Sequence, residues 1–465
     1  MSRKPYLRWT LTLAGVAAPI VLVTYLSSQH GMMDVIRDYL PLKRNMYILL
    51  GTSLLALIAL CADILERRSR GLAAAISGSL TWAMIVVSFT LCAAFAAYIF
   101  TPAFNGSGDT PPQLMMIESQ APKGMPGLAV VFYTDKPTGN TIVWGEVGGK
   151  LFSTREKIAS NKHWFRLDGL QPDNEYMYAV NSQKPVWFRT PPNDGQPIWF
   201  AAGGDVHFGN KTSNPAATKA LLAQIAKPTN GYDAFFLLGD MVQLGINDSI
   251  WRETARQFAP YTRSIPTVVL PGNHDTMLGG LPLFEKYQKP PGQSGQDLWQ
   301  RIDIGNTHFL LLDLEWELQT YTVEEKTWLI DELETIPKDD WTIVMSHTFY
   351  YSSGAIEDGW PWYDNKSVIK ELTPVFEKYG VDIVMSGHKH DNELLKKNGV
   401  TYVVSGALGG EPHKLLTYRS LASVWLKTGA YAFADVTING NLATISFIDQ
   451  NGKSLYRTTI KKQTP

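Results

Sequence analysis

Three early stretches carry no Asp, Glu, Lys or Arg: residues 9–33, 45–62 and 71–104. A helix needs ~20 apolar residues to cross ~30 Å of hydrocarbon. The pattern therefore predicts a membrane anchor over 1–104, with transmembrane helices at about 9–27, 46–65 and 75–100. Arg3, Lys4 and Arg8 precede the first span, and Arg67, Arg68 and Arg70 follow the second. They outnumber Arg37, Lys43 and Arg44 in the loop between the first two. Loops rich in Lys and Arg stay in the cytoplasm. The expected arrangement is a multi-pass plasma (inner) membrane protein with a cytoplasmic N-terminus. Everything after Phe104 would then be periplasmic or extracellular.

Residues 105–112, rich in Gly, Ser and Pro, form a predicted linker. Seven short β-type runs follow, at 113–120, 128–135, 141–147, 150–158, 163–170, 175–181 and 185–190, with turn residues between several of them. Such spacing predicts an all-β sandwich over 113–193. The piece from Leu170 to Tyr178 resembles the L-x-P-x-x-x-Y corner of a fibronectin type III domain. The resemblance gives the corner role to Tyr176 or Tyr178.

At residue 198 the pattern changes to apolar strands alternating with helical stretches, which argues α/β packing for a domain spanning 194–465. Strands at 197–202, 234–238, 267–270, 342–345 and 382–385 each run into polar residues. Helices are expected at 215–226, 249–258, 323–335 and 366–379.

Composition refines this picture. With 45% hydrophobic and 18% charged residues, the chain is not of the disordered class. A net charge of −1 gives no whole-chain basic field, so no nucleic-acid partner is expected. The balance is uneven, because residues 1–104 hold nine basic and four acidic side chains and the remainder 33 basic and 39 acidic. The only cysteines, Cys61 and Cys92, fall within the charge-free runs, which excludes a disulfide-built scaffold.

The chemistry lies at the strand ends, where open α/β sheets place their sites. Five of nine histidines are there, in the segments Asp205-Val206-His207, Gly239-Asp240, Gly272-Asn273-His274-Asp275, Ser346-His347 and Gly387-His388-Lys389-His390. In this order they resemble the calcineurin-like metallophosphoesterase superfamily, whose motifs are D-x-H, G-D, G-N-H-[DE], H and G-H-x-H. The resemblance implies two packed sheets flanked by helices and a centre of two divalent metal ions (Mn, Zn or Fe). Two cations ~3.5–4 Å apart need a shared anionic bridge, and the resemblance gives that role to Asp240. It assigns Asp205, His207, Asp240 and His390 to one ion, and Asp240, Asn273, His347 and His388 to the other. His274 would be the general acid beside the leaving oxygen, with Asp275 orienting its ring.

The implied activity is a membrane-anchored hydrolysis of phosphate esters by metal-activated hydroxide, with a phosphorylated substrate. An alternative is a phosphodiesterase or pyrophosphate-cleaving enzyme acting on a lipid-linked or envelope substrate. A catalytically dead binding module would lack the bridging Asp or the acid His, and both are present. The sandwich-then-phosphoesterase order resembles the purple acid phosphatases. However, His207 and Gln243 stand where that family has Gly and an iron-binding Tyr. An uncoloured di-divalent centre is therefore expected. Tyr350, Trp360 and Trp362, in an aromatic stretch after His347, and His413, after a further strand, are candidate substrate-lining residues.

Overall fold

The computed structural model describes residues 107–118, 125–227, 231–289, 298–357 and 360–462. The spans expected at 9–27, 46–65 and 75–100 lie outside the described residues. Among the described residues, no helix is long and apolar enough to cross a membrane.

Two sheets face each other. The first has nine strands, in the order Ser454–Lys461, Leu442–Asp449, Ala432–Asn439, Ile198–Gly203, Ala234–Leu237, Thr267–Val269, Gln113–Ile117, Gly127–Thr138 and Ser160–Leu167. The second has seven, in the order Gln300–Ile304, Thr307–Leu311, Trp341–Ser346, Ile383–Ser386, Val400–Ser405, Asn392–Lys397 and Ser423–Lys427. The central strands of both are parallel. They read as near-continuous apolar runs because both faces are covered. Between the sheets Phe309 meets Phe236 at 4.6 Å and Phe200 at 5.2 Å.

Helices close the outer faces. Pro215–Ile225, Asp248–Thr262 and Leu281–Gln288 contribute Leu221, Leu222, Trp251, Phe258 and Phe284 to the core over the first sheet. Val323–Thr335 and Lys366–Tyr379 contribute Leu329, Leu333, Leu372 and Phe376 over the second. Asn214, Asn247, Thr322 and Asn365 cap four of these helices, each side chain accepting from backbone N–H groups of the first turn. The four helical stretches expected from the sequence are present, as is the α/β core.

The free-standing sandwich expected over 113–193 is not supported. Every expected run holds a strand, but three of the seven belong to the nine-stranded sheet. Gln113–Ile117 pairs in parallel with Thr267–Val269 through Met115 and Thr267, and carries Gly127–Thr138 and Ser160–Leu167 with it. Only Thr141–Glu146, Leu151–Arg155, Glu175–Val180 and Val186–Arg189 form a separate four-stranded sheet. Gly106–Pro465 form one compact unit. Tyr176 accepts a hydrogen bond from Gln171 N at 2.8 Å, whereas the Tyr178 hydroxyl donates to Arg263 O at 2.8 Å.

The described part of the 105–112 segment is not a free linker either. Thr110 is buried and exchanges bonds with Tyr133, N–H to Tyr133 O at 2.8 Å and Oγ1 from Tyr133 N at 2.7 Å. Arg252 donates to Gly108 O at 2.9 Å.

Candidate metal centre

Five parallel strands, Ile198–Gly203, Ala234–Leu237, Thr267–Val269, Trp341–Ser346 and Ile383–Ser386, end at one edge of the two sheets. The residues just beyond them converge. Asp205, His207, Asp240 and His388 have φ of 62°, 50°, 54° and 63°. Among the described residues they are four of the nine non-glycine residues with positive φ. Such conformations cost of order 1–3 kcal/mol each and persist where the surroundings impose them. Gly239, at φ 86°, precedes Asp240, and a Cβ there would lie 2.6 Å from His347 Nδ1 and 2.9 Å from Gly272 Cα.

Asp240 is the centre of the cluster. Its Oδ2 lies 3.4 Å from His207 Nε2 and 3.3 Å from His347 Nε2. Its Oδ1 accepts from His274 N at 2.8 Å. On one side stand Asp205, His207 and His390, with His390 Nε2 3.2 Å from Asp205 Oδ1 and 3.0 Å from His207 Nε2. On the other stand His347, His388 and Asn273, with His347 Nε2 3.0 Å from His388 Nδ1 and 3.2 Å from Asn273 Oδ1. All seven residues expected to hold metal are thus brought together, in two groups sharing Asp240.

The far side of each ring explains its orientation. His207 Nδ1 donates to Gln243 Oε1 at 2.9 Å, His390 Nδ1 to Glu411 O at 2.9 Å and His347 Nδ1 to Leu238 O at 2.7 Å. With Nδ1 occupied as a donor, each ring turns its Nε2 lone pair inward. Acceptors then face acceptors at 3.0–3.3 Å, and Asp205 Oδ1 is buried with no hydrogen-bond partner. Groups this buried and alike in polarity call for cationic compensation. The donor set of carboxylates, imidazoles and one amide oxygen suits Mn, Zn or Fe. The residues fit a centre of two divalent ions.

Protonation follows the same field. Burial raises the Asp205 and Asp240 carboxyls, but the neighbouring imidazoles outweigh it and hold both below the usual carboxylate range. Burial depresses His347, yet Asp240 carries it up to about 10, so without bound ions a proton at Nε2 would take the place of the cation. Burial, then the His347 ring, pushes His388 well below the ordinary imidazole range.

His274 stands at the side, its ring 4.7 Å from that of His207 and only half-buried. His274 and Asp275 each have backbone partners of their own. His274 Nδ1 bonds to Gln243 O at 2.9 Å. Asp275 is fully buried, and its two oxygens accept from Val242 N and Gly272 N, both at 3.1 Å. It braces the two loops that carry Asp240 and Asn273. Burial, then the Asp240 charge, raises its carboxyl well above the usual range.

The substrate-lining candidates divide. Trp362 is half-buried and packs on His388 at 5.2 Å, and His413 stacks on His390 at 5.2 Å. Tyr350 is a core residue, against Phe376 and Tyr402, with its hydroxyl bonded to Ser346 Oγ at 3.2 Å. Its pocket role is withdrawn. The Trp360 side chain lies outside the described set. Sequence reasoning missed Trp316, perpendicular to Trp362 at 5.8 Å and 5.0 Å from His388. It follows the strand Thr307–Leu311 in no motif. Gln243 was noticed only for the Tyr it replaces, and its carboxamide and carbonyl hold two histidines.

The strand ends thus assemble a buried, metal-ligating donor set at one edge of an α/β fold. Residues 198–392 match the calcineurin-like phosphoesterase family model. The chain's relatives include purple acid phosphatase 22 of Arabidopsis thaliana, 25% identical over a 303-residue alignment that covers 59% of this chain and 65% of that one. A nucleotide pyrophosphatase/phosphodiesterase of Hordeum vulgare is 26% identical over 310 residues, covering 55% of this chain and 80% of that one. The solved purple acid phosphatase PPD1 from yellow lupin (Lupinus luteus) seeds shares the fold, with a TM-score of 0.66 at 18% identity over 76% of this chain and 74% of that one. The chain spans 53–65% of the lengths of three Arabidopsis purple acid phosphatases that it matches.

Proposed function

We propose that the chain is a dinuclear-metal phosphohydrolase acting on phosphate esters. The observation that carries this reading is Asp240 Oδ2 lying between the inward Nε2 atoms of His207 and His347, each part of a separate buried donor group. Asp205, His207, Asp240 and His390 would hold one ion, and Asp240, Asn273, His347 and His388 the other. When bound, such ions supply Lewis acidity toward phosphate oxygens and lower the pKa of water.

The chain's own residues supply the rest. His274 would act as the acid in its imidazolium form, with Nδ1–H donating to Gln243 O and Nε2–H left for the leaving oxygen. Its backbone N–H on Asp240 Oδ1 fixes the distance between acid and centre. Trp316 and Trp362 wall the side of His388 and keep water from it. No side chain is required as nucleophile.

Gln243 occupies the position of an iron-binding Tyr and is committed to His207. This supports a centre of Mn or Zn without a phenolate-to-iron colour. A relative in Arabidopsis thaliana, 24% identical over 265 residues, is named an Fe(3+)-Zn(2+) purple acid phosphatase. The reading further places the body on a three-helix anchor, outside the cytoplasm. Its support is the charge-free runs within residues 1–104 and the cations that flank them.

The test uses the full chain, stripped of metal and reloaded with Mn²⁺ or Zn²⁺. Nitrophenyl phosphate and bis-nitrophenyl phosphate are supplied separately. Hydrolysis of the monoester is the expected result. Cleavage of the diester alone would favour the phosphodiesterase function named for the barley relative. Failure with both would sink the reading.

A further inference from the structure

A second concave site lies at the opposite end of the strands that carry the metal-binding residues. Trp341 opens the strand that leads to His347, and Asp382 immediately precedes the strand that leads to His388. Both line a cavity of about 360 Å³. A space of this size suits a small ligand. The strand Trp341–Ser346 is six residues long. At ~3.3 Å per residue, it holds the cavity roughly 20 Å from the metal centre. No residue of the catalytic reading lines it.

Both sheets contribute walls. One wall is the hairpin of Asn392–Lys397 and Val400–Ser405, which brings Lys396 and Lys397. Its two-residue turn, Asn398-Gly399, has φ of 46° and 90°, as a type I′ turn requires. Asn398 Nδ2 donates to Glu377 Oε1 at 2.8 Å, which ties the hairpin tip to the helix Lys366–Tyr379. Alternation along the strand puts Lys396 on the same face as Leu394, which packs in the core between the sheets. The other wall is the end of the edge strand Ser454–Lys461, which brings Lys461. Trp341 is fixed between them, its indole Nε1 donating to Gly440 O at 2.8 Å.

The charge of the lining is one-sided. Asp382 is its only carboxylate. That group already accepts from the buried ammonium of Lys462 at 2.7 Å and from Thr342 N at 2.9 Å. Lys396, Lys397 and Lys461 are exposed, and among the described residues none of them forms an ion pair. This is not the general character of the body, since the chain beyond residue 104 holds 33 basic and 39 acidic side chains. Three uncompensated cations at one hollow repel one another, and a multiply charged anion relieves the repulsion. Lysine binds phosphate as a point charge with three donors.

We propose that this cavity binds a phosphate-bearing anion through Lys396, Lys397 and Lys461, at a site separate from the metal centre. The phosphate is either free in solution or part of a lipid headgroup, and both present phosphate oxygens to the ammonium groups. The inference goes beyond the phosphohydrolase reading and does not depend on it.

The test uses the full chain at low ionic strength, once loaded with Mn²⁺ and once stripped of metal. Binding of inorganic phosphate, and of dihexanoyl phosphatidylglycerol below its micellar concentration, is followed by calorimetry. A hydrogen bond to a charged group is worth about tenfold or more in affinity. K396Q/K397Q/K461Q is therefore expected to weaken binding of at least one probe about tenfold or more, in both metal states. Added salt should weaken binding to the wild type as well. The variant should keep the wild-type circular dichroism spectrum and the wild-type rate on nitrophenyl phosphate. A loss confined to inorganic phosphate identifies the free anion, and a loss confined to the lipid identifies a headgroup.

Equal affinity of wild type and variant for both probes, or no binding of either probe by the wild type, would overturn the inference and leave the phosphohydrolase reading intact. A wild type inactive on esters that still shows lysine-dependent binding would defeat that reading and leave this one standing. Should the triple variant fail to fold, K396Q alone decides the question, by the same loss of affinity.

Discussion

Replacing Asp240 by Asn is expected to abolish hydrolysis, lowering kcat/KM by about a thousandfold or more, which is ~4 kcal/mol of lost stabilisation. The substitution keeps the shape of the side chain and removes its charge. Asp240 Oδ2 lies within 3.4 Å of both His207 Nε2 and His347 Nε2, so one change reaches both donor groups. The Asn side chain can no longer balance two cations at once, and metal analysis should find fewer than two ions per chain. The fold should survive. The Asp240 loop is held by backbone bonds, from His207 N to Asp240 O at 3.0 Å and from Asp205 N to Gly239 O at 3.0 Å. An unaltered circular dichroism spectrum with lost metal and lost activity is the expected combination. Full activity in D240N would remove Asp240 from the bridging position.

His274→Ala should separate chemistry from metal binding. A positioned general acid contributes about 10²–10⁴-fold. The loss should fall in kcat and should grow as the leaving group becomes more basic. An alkyl phosphate should suffer the full effect, and nitrophenyl phosphate, whose leaving group needs little protonation, much less. Two ions per chain should remain. The geometry also admits a rival, because the ring atoms of His274 fall within ligand distance of His207 and Asp240. If His274 were a ligand, the variant would lose an ion, and both esters would slow equally. The Gln243 carbonyl at Nδ1 leaves Nε2 as the nitrogen that acts in either role, so the metal content of the variant separates the two.

Much of the catalytic half was legible in the chain because its signals are local. A parallel strand covered on both faces is a short apolar run, and its end is where polar residues begin. Asp205, Asp240, Asn273, His347 and His388 each sit just past such a run, and the structure brings them together. The seven short strands of residues 113–193 were also visible from their alternation. Their allegiance was not. An alternating strand has the same pattern whether it closes its own sandwich or extends a neighbour's sheet. The choice rests on the pairing of Met115 with Thr267, which no local pattern encodes.

The misassigned side chains have physical reasons as well. Tyr350 follows His347 closely, but it turns toward Phe376 and Tyr402 and fills the core. Asp275 lies beside His274 in the chain, yet in the short helix Asn273–Thr276 its carboxylate turns back to the N–H of Gly272. Lys389 looks like a solvated residue between two ligands, and its burial depends on Asp391 and on His413, 24 residues away. Gln243 was visible as a departure from the iron-binding pattern. Its hold on His207 and His274 emerged only from the three-dimensional arrangement.

The account turns on two ions acting across Asp240. Its most direct test is a titration of the stripped full-length chain with Mn²⁺, following nitrophenyl phosphate hydrolysis and bound metal together. The account predicts two equivalents bound per chain, with hydrolysis appearing only as the second is taken up. Hydrolysis that persists after complete removal of metal, or that reaches its maximum at one bound ion, would contradict it.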